Sequence, residues 1–151
     1  MHIVLVEPEI HWNTGNIGRT CVATGTRLHL IRPLGFSLDA KEIRRAGLDY
    51  WPMLKLTVHD DFAAFEATLG RGASLLFFTA RASRSFWDAP YRPDSYLVFG
   101  KESTGFSSSL RERFKERFYR IPVSENVRSL NLSSCAAVAL FEGLRRIGAA
   151  L

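Results

Sequence analysis

Cysteine and histidine are each scarce or scattered in this chain, and each scarcity closes off a class of chemistry. The two cysteines, Cys21 and Cys135, fall in apolar, helix-like runs rather than in a C-x-x-C or a secreted framework. That points to reduced thiols in a cytosol and to no thiol chemistry. The four histidines, His2, His11, His29 and His59, have no ligand-like spacing, and there is no H-E-x-x-H or Cys/His cluster, so no metal is expected. No positively charged start leads into an apolar signal core, and no apolar run approaches a membrane span. The expectation is a soluble, cytoplasmic protein with no membrane partner. Two phosphate-binding patterns are also missing. Gly100 and Gly105 have the glycine spacing of a P-loop, but Phe106-Ser107 stands where Lys-Ser/Thr is required. No G-x-G-x-x-G follows the first strand-like run, which removes an ordinary Rossmann-type loop. No internal repeat, linker or low-complexity segment interrupts the sequence.

What remains is a basic chain of 151 residues, 46% hydrophobic, the size of one domain with a core that needs no staples. The net charge is +5 and the pI about 9.6. Arginine far outnumbers lysine among the 20 basic residues, with clusters at Arg44-Arg45, Arg81/Arg84, Arg111 to Arg120 and Arg145-Arg146. An acidic polymer is the natural partner of such a surface. The plainer alternative is that arginine reflects coding bias and a solvated surface.

Two stretches organise the rest. Tyr96 to Phe99 is a short aromatic-rich run that stops at Gly100, reading as a buried strand, and Gly100 to Gly105 forms a loop around Glu102. Two glycines let backbone approach a ligand closely, and Glu102 offers an acceptor-only group. Some twenty-five residues later, Ser129-Leu130-Asn131-Leu132-Ser133 supplies a second small, polar loop. Together they read as a ligand cradle.

In chain order, His2 to Val6 reads as a central parallel strand stopped by Pro8. Asn13 to Arg19 reads as a loop entering a helix at Thr20 to Thr24, with Gly25 as its stop. Arg19 would then occupy the first helical turn, where a cation is disfavoured. Strands follow at Arg27 to Ile31 and Leu54 to Val58, with a short basic helix over Asp39 to Gly47 between them. Asp60 or Asp61 caps a helix carrying Phe62, Phe65 and Leu69. Ser74 to Thr79 reads as a mid-sheet strand, leading to a loop from Ala80 to Asp94 that interleaves Phe86, Trp87 and Tyr91 with Arg81, Arg84 and Arg92. A helix over Ser109 to Arg117, a last strand over Phe118 to Val123 and a closing helix over Leu132 to Ile147 complete the chain. The first half of the closing helix is apolar nearly all round, so it needs cover on two sides, and a homodimer is expected. The alternation of strands and helices predicts an α/β sandwich with a mostly parallel sheet and ligand loops at strand carboxyl ends.

Read together, N-T-G-N-I-G-R at 13 to 19, F-G-K-E-S-T-G at 99 to 105 and S-L-N-L-S at 129 to 133 resemble the three signature motifs of the SPOUT methyltransferases. The closest resemblance is to the TrmL (YibK-like) tRNA wobble-nucleoside ribose 2'-O-methyltransferases. It extends over essentially the whole chain, including I-V-L-V-E-P-E-I at the start and R-R-A-G-L-D-Y at 44 to 50. The resemblance implies one SPOUT domain with no appended RNA-binding domain, a sheet sandwiched by helices, and a deep C-terminal trefoil knot. It implies S-adenosylmethionine bound against Phe78, Thr79, Gly100, Ile121 and Leu130, with Glu102, Ser129 and Leu132 beside it. It further implies that Asn13 and Arg19 serve the substrate side, that Ser129 and Asn131 hold donor and ribose, and that a homodimer completes each site with the partner's first motif. The implied reaction is methyl transfer to the ribose 2'-hydroxyl of the wobble cytidine or 5-carboxymethylaminomethyluridine in a tRNA anticodon arm. Alternatives are a 2'-O-methyltransferase for another tRNA or rRNA site, and a non-catalytic RNA-binding factor. Two departures from the family pattern stand out: Phe141 where tyrosine is frequent, and His11-Trp12 where a proline-rich pair is common.

Overall fold

The computed structural model describes residues 1–39 and 49–150. Strands β1 (His2–Val6), β2 (Arg27–Ile31), β3 (Leu56–His59), β4 (Leu75–Phe78), β5 (Arg84–Ser85), β6 (Tyr96–Phe99) and β7 (Phe118–Arg120) form one sheet in the order β3-β2-β1-β6-β4-β7-β5. Every pairing in it is parallel. Two late strands insert between earlier ones: β6 between β1 and β4, and β7 between β4 and β5. The centre of the sheet is therefore β6, the strand that leads into the Gly100–Gly105 loop, while β4 is interior as expected.

Alternation along the strands assigns the two faces. Ile3, Leu5, Leu28, Leu30, Leu97 and Phe99 point toward α1 (His11–Ala23) and the closing helix α4 (Leu132–Arg146), where Ile17, Cys21, Ala136 and Leu140 meet them. Val4, Val6, Ile31, Phe77 and Val98 point the other way, toward Phe65 of α2 (Phe62–Ala67) and the segment that carries α3 (Ser108–Arg113). Leu140 is fully buried, so truncating it to alanine would cost about 2–5 kcal/mol.

Four expectations are corrected. Asn13 to Arg19 is helix, not loop: α1 begins at His11, and Arg19 lies past its middle. Its N-cap Ile10 has no capping side chain, and Gly15 and Gly18 argue against a helix by propensity. Packing overrides that, because a Cβ on Gly18 would come within 3.2 Å of Leu54 and 3.4 Å of Trp51. The Ala80 to Asp94 segment is not all loop, since it contains β5 and a 3-10 turn over Phe86–Asp88. The helix expected to Arg117 ends at Arg113 and gives way to a 3-10 turn over Lys115–Arg117. The last strand stops at Arg120 rather than Val123, because its ladder partner β4 ends at Phe78, opposite Tyr119. Of the helix expected over Asp39 to Gly47, all but Asp39 lies outside the described residues.

Parallel register also assembles something that spacing did not show. His2, His29 and His59, from three neighbouring strands, form a row: His2 Nδ1 to His29 Nε2 is 3.0 Å and His29 Nδ1 to His59 Nε2 is 3.0 Å. Tyr96 stacks on His2 at 4.2 Å, and Phe65 packs edge-on to both His29 and His59. Burial pushes His2 and His29 down to about 4, helped by the nearby N-terminus and Arg27 at His2 and by the flanking imidazoles at His29.

Candidate active site

Beyond the carboxyl ends of β4, β6 and β7 lies a cavity of about 500 Å³, in the size range of small-molecule sites. Phe78 and Thr79 come from the end of β4, Gly100 and Glu102 from the loop after β6, Ile121 from the end of β7, and Ser129, Leu130, Asn131 and Leu132 from the loop before α4; all line it, as does Asn13 of α1. The structure thus gathers every sequence-predicted site residue but one. Arg19 is six residues beyond Asn13, roughly 240° around the helix and about 9 Å along it. Its guanidinium instead lies 4.8 Å above the Tyr50 ring, whose hydroxyl donates to the carbonyl of Gly15.

The 100–105 loop closes on itself. Lys101 and Gly105 exchange backbone hydrogen bonds at 3.1 and 2.9 Å, and Gly105 takes φ 72°. A Cβ on Gly100 would lie 2.6 Å from the Gly105 carbonyl carbon. The glycine is required by its own loop, before any ligand is considered.

Glu102 then ties this loop to the start of α1. Its carboxylate accepts from the backbone N–H of Glu9 at 2.8 Å, that of Ile10 at 3.3 Å, and Asn13 Nδ2 at 3.1 Å. A carboxylate at a helix N-terminus is favoured by the unsatisfied N–H groups and the helix dipole, so α1 receives its cap from a residue 93 positions from Glu9. Three of the carboxylate's roughly four acceptor positions are taken by protein donors. Asn13, only 2% exposed, passes the network on: Asn131 Nδ2 donates to its Oδ1 at 3.0 Å. The Asn131 Oδ1 caps α4 by accepting from the Ser133 N–H at 2.8 Å and hydroxyl at 2.7 Å. One chain of hydrogen bonds therefore joins all three motifs. Glu7, at φ 51°, turns the chain out of β1 and pairs with Lys101 Nζ at 2.6 Å, a contact that raises the lysine's pKa. Ser103 gives its N–H and hydroxyl to Glu9 at 2.9 and 2.8 Å, which lowers that carboxyl's pKa.

Four cavity-lining arginines were not singled out as site residues: Arg81, Arg111, Arg120 and Arg128. None of them is in an ion pair among the described residues. The arginine clusters signalled three of them, but only the fold brings them to one opening. Burial raises Cys21 to about 12 and also raises Cys135, so both are thiols.

Known proteins resemble this chain in sequence and fold. The tRNA (cytidine(34)-2'-O)-methyltransferase of Burkholderia pseudomallei (strain 1106a) is 47% identical over 149 residues, covering 97% of this chain and 96% of that protein. A solved structure described as giving structural insights into the 2-OH methylation of C/U34 on tRNA superposes with a TM-score of 0.89 at 48% identity, covering 96% of this chain and 94% of the other. An AdoMet-bound rRNA methyltransferase from Sinorhizobium meliloti shares the fold, with a TM-score of 0.80 at 23% identity over 96% of this chain and 56% of that one. The SpoU rRNA Methylase family profile matches residues 1–141. By that match and by the motifs it joins around the cavity, this chain belongs to the SpoU rRNA methylase family.

Proposed function

We propose that this protein is an S-adenosylmethionine-dependent tRNA 2'-O-methyltransferase acting in the cytoplasm on the wobble ribose, at cytidine or 5-carboxymethylaminomethyluridine. The observation that carries the reading is the hydrogen-bonded chain from Glu102 through Asn13 to Asn131 at the cavity. Near-full-length relatives that bear this activity in their names support it. The cavity fits the donor chemically: Phe78, Phe99, Ile121 and Leu130 offer apolar walls for a base, and exposed loop backbone offers hydrogen bonds at its edges. S-adenosylmethionine supplies an electrophilic methyl group on a sulfonium. Phe78, Thr79, Gly100, Ile121, Leu130 and Leu132 would hold it, with Glu102 and Ser129 beside them.

The chain's own groups do the positioning. Asn13 and Asn131, locked by the network, orient the ribose, and Ser129 stands at the same opening. Arginine resists deprotonation, so Arg19 acts by stabilising the developing alkoxide and gripping a phosphate. Because Arg19 does not reach the cavity of its own protomer, we take it to be supplied by the α1 of a second copy. Trp12 at 61%, Phe141 at 50% and Val138 at 39% exposure on α1 and α4 support that homodimer. Arg81, Arg111, Arg120 and Arg128 would meet the anticodon-arm backbone. The insertion of β6 and β7 between earlier strands is the arrangement on which the proposed trefoil knot rests.

Incubating the protein with labelled S-adenosylmethionine and total tRNA, followed by nucleoside mass spectrometry, tests the assignment. Label at the wobble ribose is expected; label only at another ribose would replace the target position, and transfer to rRNA but not to tRNA in a parallel incubation would replace the substrate, whereas no transfer to either would favour a binding factor. Arg19→Ala should lower turnover by roughly 100-fold with donor affinity little changed. Turnover retained in that variant would remove Arg19 from the mechanism.

A further inference from the structure

The 100–105 loop is closed by its own backbone, with Gly100 packed against Gly105 and Phe106 and with Lys101 bonded twice to Gly105. A loop closed in this way tilts as a body, so its orientation is set by what holds it from outside. Lys101 is held by Glu7, and Glu102 by Glu9 and Ile10 just before α1 and by Asn13 within it. A third hold reaches the tip, where Ser103 gives both its N–H and its hydroxyl to Glu9. The exchange is reciprocal, since the Glu9 N–H donates to Glu102. These groups are exposed, so the latch covers no apolar core and adds little to global stability. What it fixes is direction. Its two donors and the nearby Lys101 keep the carboxylate ionised, and hydrogen bonds to an ionised acceptor are the stronger kind.

We propose that Glu9 is a positioning residue for the methyl-donor cavity, acting through Ser103 to set the tilt of the loop wall that the donor meets. The proposal rests on the donor reading of that cavity. It assigns the carboxylate just before α1 a part in donor affinity, separate from Glu102, and leaves RNA binding to the arginines on other segments.

Calorimetric titration of S-adenosylmethionine into the parent protein, Glu9→Ala, Glu9→Gln and Ser103→Ala tests it, with thermal unfolding and tRNA filter binding alongside. Glu9→Ala should bind the donor about tenfold more weakly, with its unfolding midpoint and tRNA affinity near the parent's. Glu9→Gln keeps an acceptor oxygen and should recover most of the loss. Ser103→Ala keeps the backbone donor and should fall between. In turnover assays the donor KM should rise while kcat at saturating donor changes little. Donor affinity of Glu9→Ala within twofold of the parent's overturns the latch. Should that variant not fold, parent-like affinity in Ser103→Ala overturns it instead. A parent that binds no donor would sink the cavity reading and the latch together, whereas a parent and variants that bind equally would sink only the latch.

Discussion

The network at the cavity and the histidine row across β1, β2 and β3 use hydrogen bonds of similar length, but their chemistry differs. The cavity network centres on the Glu102 carboxylate at a helix N-terminus, joins segments about 90 to 120 positions apart, and ends at an opening lined with arginine. The histidine row is held uncharged by burial, sits among Phe65 and Tyr96 on the opposite face, and does not line that cavity. The first fixes where ligand-facing loops stand. The second fills space between strands with groups that must stay uncharged. Substitutions at the cavity should therefore change function more than stability, and perturbation of the row should do the reverse.

The largest effect is expected from Asn13→Ala, which removes the link between Glu102 and Asn131. Methyl transfer in steady-state kinetics should fall roughly 100-fold, while stability falls by about 1–2 kcal/mol, the scale of a lost buried hydrogen bond. A variant that loses its fold in proportion to its activity would break the comparison. Gly100→Ala comes next. Its new Cβ would meet the Gly105 carbonyl carbon at 2.6 Å, and backbone cannot yield as a side-chain tip does. A stability loss of about 1–3 kcal/mol and about tenfold weaker donor binding in calorimetry are expected.

How much of this was legible in the sequence follows from how local each feature is. Gly100, Glu102, Gly105 and the Ser129–Ser133 loop could be read directly, because a strand ending at a glycine and a small polar stretch are signals within ten residues. The start of α1 could not. Its cap is the Glu102 side chain, and Gly18, which argues against a helix, is there for Leu54 and Trp51. The histidine row was invisible for a related reason. Its members lie about 30 residues apart, and only the parallel register of β1, β2 and β3 brings them together. Arg19 was expected in a first turn, where a cation is disfavoured. Its place past the middle of α1 and over Tyr50 removes that conflict.

The histidine row makes the third prediction, a pH dependence of stability. An imidazole free in the unfolded chain titrates near 6.5, but His2 and His29 are held at about 4 in the fold. Between those values the unfolded chain binds more protons, so their contribution is complete above about pH 6.5 and is lost as the pH falls toward 4. His59 is lowered by burial too, against the pull of Asp60. Glu9 and Glu142, both lowered from 4.5, begin to lose their contributions only as the pH falls below about 4.5. The urea midpoint should therefore decline between pH 6.5 and 4, and less steeply in His29→Val, with donor affinity at pH 7.5 close to the parent's. An equally steep decline in His29→Val would remove the row as its cause.

The smallest effect tests whether the far face can be perturbed at all without charging that row. Arg113 of α3 forms two parallel hydrogen bonds to Glu66 of α2, both 2.7 Å, and its guanidinium also lies 4.9 Å above the Phe114 ring. The geometry is the good, bidentate kind. The arginine side chain is nonetheless 59% exposed, so water and salt screen the pair, and such pairs contribute about 0.2–1 kcal/mol. Arg113→Ala should sit in that range by urea unfolding, with a loss that shrinks as salt is raised, and should leave methyl transfer unchanged. A loss of transfer would mean that α2 and α3 report to the cavity through Phe77 and Phe106, which pack edge-on with ring centroids 5.4 Å apart. The separation between the two networks would then have to be redrawn, because Phe106 directly follows the loop that Glu102 anchors.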